Sequence, residues 1–529
     1  MTTKRTFLRH KFAGGWDTDS GPTVDVVPEG HIVQVPFLVE ADNIVYEFDG
    51  GPRKAPGTTK LNSVVLESGA DVKGVYDYWI TGTAASPAQH RICHVGTTIK
   101  KDDADGTFAN LFTGLEADKV PDYTVFEDKL IIASDSTTDV PKSWDGTTAQ
   151  NLAGTPPNFA FSAVHRNRIW AAGDAANPSR LYYAVSLNPE DWISGGSGTI
   201  DIDPSDGDRI TGIISHKSEL WVFKGPYKGS IHRISGAAPT GSDPFSLAPF
   251  IKGLGCVAHN TIFRFGDDIG FMWSDGTVHS LAATAAFGDF NEAALSRPIH
   301  TYLREHLNFA RLTHAHAVNW TDLGIVLFSV PIDAATQPNM ILTMDYRFNG
   351  GVRWSRWSSF SNTALSLASV VDASANNRRI IIGGGTDGFI RKYGQSTRSI
   401  DGNSSISYKV TIPQLTYGDA VQMKVVSGGA IGFQPKNTGN VTFGWTRDGN
   451  AQQTRTVSQD AGGAALGVFV LGTDTLGGSR FVDKFFELEE GGEFRSLGME
   501  VTNNVNNEDV EIHSISNILE PGSWSMENN

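Results

Sequence analysis

Glu219–Lys224, with the sequence ELWVFK, is a short run of apolar, β-branched and aromatic residues that ends at a Gly-Pro pair. Side chains of this kind favour β-strands, and Gly and Pro favour the turns that separate strands. Similar runs continue from about residue 22 to residue 394, and they predict an all-β fold. Further examples are Asp128–Ser134, Arg168–Gly173, Gly324–Val330 and Arg379–Gly384.

Asp-Gly dipeptides separate many of these runs. Asp-Gly is a strong hairpin signal because type I′ turns need a positive φ at both central residues. The dipeptides begin at residues 49, 105, 145, 206, 275 and 387, which leaves intervals of 56, 40, 61, 69 and 112 residues. Units of about 40 to 60 residues, each a small antiparallel sheet, are typical of β-propeller blades. The sequence therefore predicts a propeller of about six or seven blades over residues 22–394, with a stack of β-sandwiches as the alternative.

The C-terminal part has a different pattern. A polar stretch, Thr397–Ser405, precedes runs that alternate between polar and apolar residues, such as Ser407–Ile412 and Val441–Thr446. Such alternation indicates strands with one buried face and one wet face. Six or seven of these strands predict a β-sandwich or jelly-roll-like domain over residues 395–529.

One segment interrupts the β pattern. Asn291–His306 predicts a single inserted helix, because its apolar residues repeat at helical spacing and Pro298 can occupy the first turn. The apolar face comprises Leu295, Ile299, Tyr302 and Leu303. Such a helix suits a contact element or a plain connection between blades.

Composition restricts the class of protein. A chain of 529 residues predicts two or more domains, and two cysteines are too few for a disulfide scaffold. The absence of a long apolar run predicts no membrane span, and the basic start lacks a secretory signal, so we expect folding in a reducing cytoplasm. A net charge of −15 disfavours broad phosphate-binding faces but suits a conduit along which DNA slides.

Residues 1–21 are predicted to form an N-terminal arm. The arm is basic over its first eleven residues and could dock on an acidic partner, or it could be a solvated terminus. Its candidate contact residues are Lys4, Arg5, Arg9 and Lys11.

The search for chemistry yields weak motifs. His314 and His316 could share a strand face, and Cys256 precedes His259 by three positions, but neither pair has further ligands at metal-binding spacing. The acidic run Asp201–Asp208 fails the EF-hand pattern and reads as a turn at the top of a blade. The glycines at 383, 385 and 388 precede a predicted strand, which indicates a hairpin. We therefore expect no catalytic residue, metal or cofactor.

Glycan cleavage is the strongest enzymatic alternative, because paired carboxylates on a propeller could hydrolyse sugars. The Asp-Gly turns lack the spacing of a sialidase-type Asp box. The aromatic and basic run at residues 353–357 could line a sugar site by stacking, or it could be a packed strand. The residues concerned are Arg353, Trp354, Arg356 and Trp357.

A set of blade motifs over residues 120–520 resembles the propeller-bearing tail proteins of short-tailed bacteriophages, which form the tail nozzle or hub. The resemblance is one of motif order and includes no active-site signature. The motifs are Arg180–Trp192 (RLYYAVSLNPEDW), Ile202–Ile213, Leu220–Lys224, Ile231–Gly236, Met344–Trp354, Gly385–Tyr393 and Phe443–Gly449.

The resemblance implies a non-enzymatic structural component of the virion tail, assembled in the host cytoplasm. It implies a homo-oligomeric ring, six copies by analogy, below the portal and adaptor and near tail fibres or spikes. That ring would close the channel and pass the genomic DNA at ejection. Acidic loops facing the channel would prevent DNA from sticking, and the candidates are Asp201, Asp203, Asp206 and Asp208. The alternatives are a carbohydrate-binding, receptor-binding or glycan-cleaving propeller at the tail tip, and an extracytoplasmic enzyme.

Overall fold

The computed structural model describes residues 6–27, 29, 31–81, 88–103, 106–287, 294–348, 351–372, 376–418, 421–434, 439–459, 482–487 and 492–522. The chain divides into two compact units. The first, which we call the propeller unit, comprises Lys60–Ile341 and Phe360–Tyr393. The second, which we call the sandwich unit, comprises Met1–Thr59, Leu342–Ser359 and Gly394–Asn529.

The propeller unit begins with four consecutive four-stranded antiparallel sheets, each made from one contiguous stretch of chain. We number them blades 1 to 4. Their strands are Val72–Ile80, Ala88–Val95, Thr98–Asp102 and Phe108–Phe112 in blade 1; Pro121–Phe126, Lys129–Ser134, Lys142–Trp144 and Ala149–Asn151 in blade 2; Phe161–His165, Arg168–Ala172, Arg180–Tyr183 and Gly198–Asp201 in blade 3; and Arg209–His216, Glu219–Gly225, Ser230–Ser235 and Ser246–Lys252 in blade 4.

Three further groups of paired strands follow within the described part of this unit. Their strands are Phe263–Phe265, Asp268–Met272 and Val278–Ser280 in blade 5; His316–Trp320 and Ile325–Val330 in blade 6; and Ser366–Asp372, Arg378–Gly384 and Ile390–Gln395 in blade 7. The first strands of the seven blades begin at residues 72, 121, 161, 209, 263, 316 and 366, so successive blades repeat every 40 to 54 residues. The predicted β-propeller and its repeat length are confirmed.

The blades close into a ring through their first strands. The first strand of blade 7 lies against that of blade 1, and first strands also lie against each other from blade 1 to blade 4 and from blade 5 to blade 7. Between blades 4 and 5, the 3₁₀ turn His259–Thr261 contacts the first strand of blade 4. A hydrogen bond that involves a side chain ties each of the seven joints. Starting from the joint of blades 1 and 2, the bonded pairs are Tyr78 with Asp128, Ser162 with Asp122, His165 with Ser215, Arg264 with Ser215, Asn319 with Arg264, Trp320 with Arg379, and Ser366 with Val72.

Several hairpins inside the blades use turns that the Asp-Gly pattern does not mark. Blades 2, 3 and 4 join their first two strands through Glu127-Asp128, Arg166-Asn167 and Lys217-Ser218, and both residues of each pair have a positive φ between 46° and 69°. These angles are those of type I′ turns. The Asp-Gly pairs at 145, 275 and 387 are hairpin turns as predicted, whereas the pair at 206 connects blades 3 and 4 and the pair at 49 lies in the sandwich unit.

The predicted helix is partly confirmed. Pro298 lies at the start of a 3₁₀ turn, Arg297–Ile299, which continues directly into the α-helix His300–His306. Positions 291–293 are outside the described ranges. A second α-helix, Leu281–Phe287, was not predicted. Further 3₁₀ turns are Glu67–Gly69, His259–Thr261, Phe309–His314 and Ser358–Phe360. None of the helices in the described ranges has the length or apolar character needed to cross a bilayer.

The sandwich unit contains two main sheets within the described ranges. The first comprises Thr6–Phe12, Ile32–Val35, Lys424–Phe433, Val482–Glu487, Glu493–Phe494 and Ile512–Pro521. The second comprises Thr23–Val24, Glu40–Asp42, Met340–Asp345, Arg353–Trp357, Tyr408–Thr411, Gln414–Leu415, Asn440–Arg447, Gln453–Ser458 and Leu497–Asn503. Short strands Ile44–Tyr46, Pro52–Lys54, Gly57–Lys60, Ser399–Ile400 and Ser404–Ser405 accompany them.

The two sheets enclose an aromatic core. The ring of Phe443, from the second sheet, lies 4.9 Å between centroids from the ring of Phe486, from the first sheet. Both side chains are buried, as are Phe433 and Val501 from the same two sheets. Apolar faces that pack in this way between two sheets form a β-sandwich.

The structure divides the chain differently from the predicted boundaries. Residues 6–59 belong to the sandwich unit, so the N-terminal segment is neither an arm nor the start of the propeller. Thr6–Phe12 pairs antiparallel with Ile512–Pro521 and parallel with Ile32–Val35. The alternation of buried Leu8, His10 and Phe12 with more exposed neighbours explains this pairing, because period-2 burial is the mark of a strand.

Candidate functional site

Strands of the propeller unit line an open cavity of about 440 Å³. It is lined from blades 1, 2, 6 and 7 and from the 3₁₀ turn before blade 5. Its lining includes two acids, Asp77 and Asp122, and the aromatic residues Tyr76, Trp79 and Tyr123. We therefore consider it as the candidate functional site.

Asp77 is saturated by hydrogen-bond donors. Its Oδ2 accepts from the indole N–H of Trp79 at 2.9 Å and from the backbone N–H of Val371 at 3.1 Å, and its Oδ1 accepts from the Gln89 side chain at 2.7 Å. Because Val371 belongs to blade 7, this carboxylate holds blades 1 and 7 together. A carboxylate whose oxygens are occupied in this way is poorly placed to act as an acid or a nucleophile.

Asp122 has a similar role between blades 2 and 3. Its Oδ2 accepts the backbone N–H of Ser162 at 2.8 Å, and its Oδ1 lies 3.5 Å from Nε2 of His259. The imidazole of His259 stacks on Phe161 with a centroid distance of 4.8 Å and an interplanar angle of 7°. This packing fixes the acid and the histidine as parts of the blade joint.

The remaining polar groups of the cavity are neutral or cationic. Burial lowers the pKa of His316 to about 4, and its Nδ1 bonds to the carbonyl of His314 at 3.0 Å. Burial raises the pKa of Tyr123 well above its usual value, and its hydroxyl has no hydrogen-bond partner among the described residues. Arg379 also lines the cavity and is exposed.

The four predicted channel acids lie at the junction of blades 3 and 4, where three of them have strong local partners. Arg180 binds Asp201 at 2.7 and 3.0 Å, and Lys224 binds Asp206 at 2.8 Å. Asp208 is buried and accepts three backbone N–H groups, from residues 227, 228 and 229, at 2.7 to 2.9 Å. Asp203 is half exposed, with Oδ2 3.7 Å from Nε2 of His232. None of the four lines the 440 Å³ cavity.

Lys224 explains why so many acids are close together. Its side chain is fully buried, and its ammonium donates to the carbonyls of Ile202 and Asp203 at 2.8 and 2.9 Å as well as to Asp206. The loop therefore surrounds a lysine ammonium with oxygen atoms. The turn interpretation of this segment is supported, since its acids serve the local fold.

Two of the predicted basic contact residues, Arg9 and Lys11, lie in the strand Thr6–Phe12 and differ in their surroundings. Arg9 donates from Nη2 to Asp483 at 2.5 Å, whereas Lys11 is exposed. Lys4 and Arg5 lie outside the described residues. The structure thus gives Arg9 an internal acidic partner, because its strand is paired on both sides.

The predicted glycan-contact residues do not form a surface site. Trp354 and Trp357 are 1% and 0% exposed, and the indole N–H of Trp357 donates to the carbonyl of Ile44 at 2.7 Å. Arg353 lies 3.7 Å above the ring of Phe348, and Arg356 lies 5.4 Å above Trp16. This assignment is corrected, because indoles buried in the sandwich core cannot stack on an external sugar.

The weaker motifs also resolve into structure. His314 ends a 3₁₀ turn and His316 begins the next strand, so the two do not share a strand face. Both cysteines are buried, and burial raises the pKa of Cys256 to about 12. The glycines at 383–388 form the hairpin of blade 7. No group of three metal-binding side chains occurs among the described residues.

Sequence reasoning missed the cavity itself. Its lining comes from segments as far apart as Gly74 and Arg379, and only closure of the ring brings them together. A local signal was present, because Tyr76, Asp77 and Trp79 place polar and aromatic side chains close together in the strand Val72–Ile80. The sequence does not show which strand of a blade lies innermost, so this pattern could not be assigned to a cavity.

Comparisons with known proteins give weak likenesses to solved structures. No family model matches the chain, and no curated protein matches it. YCF48 bound to D1 peptide is 11% identical with a TM-score of 0.37, over 67% of this chain and 97% of that one. Raptor of Chaetomium thermophilum is 12% identical with a TM-score of 0.39, over 65% and 29%.

An exo-β-1,3-galactanase of Phanerochaete chrysosporium is 9% identical with a TM-score of 0.26, over 90% of this chain and 99% of that one. Likenesses at this level carry no argument about function. The β-propeller assignment follows from the seven successive groups of antiparallel strands and the contacts that close them.

Proposed function

We propose that this chain is a non-catalytic structural subunit of the tail of a short-tailed bacteriophage. In this proposal several copies form a ring below the portal and adaptor, and the ring closes and then opens the path for DNA. The motif order from Arg180 to Gly449 suggests the family. The carrying observation is the set of hydrogen bonds that ties all seven blade joints, because such a ring is a rigid building element.

The acids of the propeller unit support a structural role over a catalytic one. Asp77 and Asp122 are held by N–H donors of neighbouring blades, and Asp201, Asp206 and Asp208 are bound by Arg180, Lys224 and three backbone amides. A general acid or nucleophile must instead be free to exchange a proton or attack. These carboxylates thus serve stability.

The proposed DNA path runs between copies. The 440 Å³ cavity inside one propeller is of small-molecule size, and duplex DNA, whose major groove alone is about 12 Å wide, cannot pass it. A closed head-to-tail ring requires two complementary faces on each copy. A protein with two compact units has distinct surfaces from which such faces can be built.

Assembly tests this proposal directly. The purified full chain is mixed with a portal–adaptor complex of a short-tailed phage, and the products are analysed by light scattering and negative-stain imaging. We expect rings of the chain attached to the adaptor end, with a central opening. A chain that remains monomeric at high concentration and does not attach to the complex contradicts the proposal, as does turnover of glycan substrates by the same preparation.

A further inference from the structure

We infer that the open 440 Å³ cavity lined by strands of the propeller unit binds a small acidic sugar, a monosaccharide that bears a carboxylate. This inference does not rest on the proposed structural role. The site differs from the tryptophan-rich strand at residues 353–357, whose indoles are buried in the sandwich unit.

The size of the cavity suits such a ligand. Pockets for small molecules usually enclose about 300 to 1,000 Å³ and combine aromatic walls with a few placed polar groups. This cavity holds about 440 Å³, and all its lining residues belong to the propeller unit. A monosaccharide fits with room for ordered water, whereas a polymer strand has to leave through an open end.

Arg379 is the cationic residue of the lining and can bind an anion, although the two carboxylates of the lining keep their negative charge. Both carboxylates, Asp77 and Asp122, are occupied by N–H donors. The guanidinium of Arg379 is exposed, and no ion pair to it occurs within the described ranges. Arginine binds a carboxylate through two parallel N–H···O bonds, which makes it the residue best suited to recognise this group.

Two hydroxyl groups of the lining favour a ligand rich in hydroxyls. The Oγ of Ser369 and the Oη of Tyr123 are buried and form no hydrogen bond in the described part of the chain. A buried polar group without a partner is destabilising, and a ligand that supplies the partner removes this penalty. Asn260, which also lines the cavity, offers both a donor and an acceptor.

The aromatic side chains provide a prepared wall. Tyr76 stacks on Tyr123 with a centroid distance of 5.1 Å and an interplanar angle of 17°. The indole of Trp79 is fixed by its bond to Asp77 at 2.9 Å. Rings held in place before binding lose little entropy when a sugar face packs on them.

The test uses the full chain and three probes: D-glucuronate, D-glucose and acetate. Isothermal titration calorimetry measures the binding of each probe at neutral pH. The probe concentration is raised to about ten times a dissociation constant of about 1 mM. We expect D-glucuronate to bind at least tenfold more tightly than either D-glucose or acetate, because only the acidic sugar has both recognised features.

The variant Arg379→Ala should weaken D-glucuronate binding at least tenfold. Arg378→Ala is the matched control, because Arg378 is a neighbouring exposed arginine that lies 3.6 Å from Asp322 and does not line the cavity. Both positions are exposed, so neither variant should disturb folding.

Three results overturn the inference: no binding of D-glucuronate in this range, equal binding of acetate, or equal loss of affinity in both variants. Failure here leaves the assembly experiment unaffected, since rings can form without any sugar.

Discussion

Both units of this protein bury the faces of β-strands. One unit pairs strands that are neighbours in the sequence, whereas the other also pairs strands that are far apart in the sequence. The propeller unit makes each blade from one contiguous stretch, so its pairings are local. The sandwich unit takes strands from three segments, and Thr6–Phe12 pairs with Ile512–Pro521 from the other end of the chain. A unit built from local pairings shows a repeat in its sequence, whereas strands that pair over long distances show only the alternation of polar and apolar residues.

The units also differ in how they use charge. In the sandwich unit, Asp509 accepts from Arg53 at 2.6 Å and from Arg398 at 3.0 Å, and all three side chains are largely buried. In the propeller unit, Lys224 is fully buried and is surrounded by main-chain and side-chain oxygens. Asp509 thus joins two largely buried guanidinium groups, whereas Lys224 is one buried cation held by a single carboxylate and by carbonyl oxygens.

The largest expected effect comes from breaking the sandwich cluster. Asp509→Ala leaves Arg53 and Arg398 buried with less compensation, so we expect the free energy of unfolding of this unit to fall by about 3 to 5 kcal/mol. Urea denaturation followed by circular dichroism measures it. Glu47→Ala is the control, since Glu47 binds Arg53 at 3.0 Å from a more exposed position and should cost less than about 1 kcal/mol. Equal costs for the two variants would show that burial is not the cause.

The next effect concerns Lys224 in the propeller unit. Lys224→Met leaves Asp206 and two carbonyls without their cation, and we expect a loss of about 3 kcal/mol. Lys217→Met is a matched control, because Lys217 binds Asp267 at 2.7 Å but both side chains are mostly exposed. Its removal should change stability by less than about 1 kcal/mol. If the two variants unfold at the same urea concentration, the burial of Lys224 does not matter.

Acid should separate the two units. Burial lowers the pKa to about 4 for His94, His165, His279 and His316 in the propeller unit and for His10 in the sandwich unit. As pH falls from about 6.5 to 4, the unfolded chain therefore binds protons at these histidines before the folded chain does. In this range each histidine lowers the free energy of unfolding by up to about 1.4 kcal/mol per pH unit. Above pH 6.5 these histidines are neutral in both states and no longer lower the free energy of unfolding.

Because four of these histidines lie in the propeller unit, its unfolding transition should shift further with acid than that of the sandwich unit. Thermal scans between pH 7 and 4.5, with aromatic and amide signals followed separately, test the difference. His316→Gln should reduce the slope of the propeller transition. Parallel shifts of both transitions would contradict this account.

The smallest expected effect concerns Asp203, the predicted channel acid whose side chain is half exposed and forms no ion pair with a lysine or arginine among the described residues. If it faces the proposed DNA path, Asp203→Lys should slow DNA ejection several-fold by adding a phosphate contact, with Asp203→Asn as the neutral control. Asp203 has a positive φ of 40°, which asparagine tolerates better than lysine, so Asp203→Lys should also lower stability by about 1 kcal/mol more than Asp203→Asn. Asp206→Lys and Asp208→Lys are unsuitable, because both acids hold the local fold. Unchanged ejection counts against this position for Asp203.

The sequence by itself determined the class of this protein. Runs such as Glu219–Lys224, separated by turn residues every 40 to 60 positions, indicate repeated small sheets because a hairpin is encoded by neighbouring residues. Pro298 likewise marked the start of a helical segment. Type I′ turns without glycine, such as Arg166-Asn167, escaped this reading because their residues carry no distinctive composition.

Only the tertiary structure decided the use of each polar side chain and the partner of each distant strand. The sequence allowed Trp354 and Trp357 as sugar contacts, but both are buried in the sandwich unit. It also allowed Asp206 as a channel-lining acid, but Asp206 binds Lys224. The cavity of the propeller unit draws Tyr76, Asp122 and Arg379 together by closing the ring of blades. Pairing over hundreds of residues depends on packing of whole faces, which no local pattern encodes.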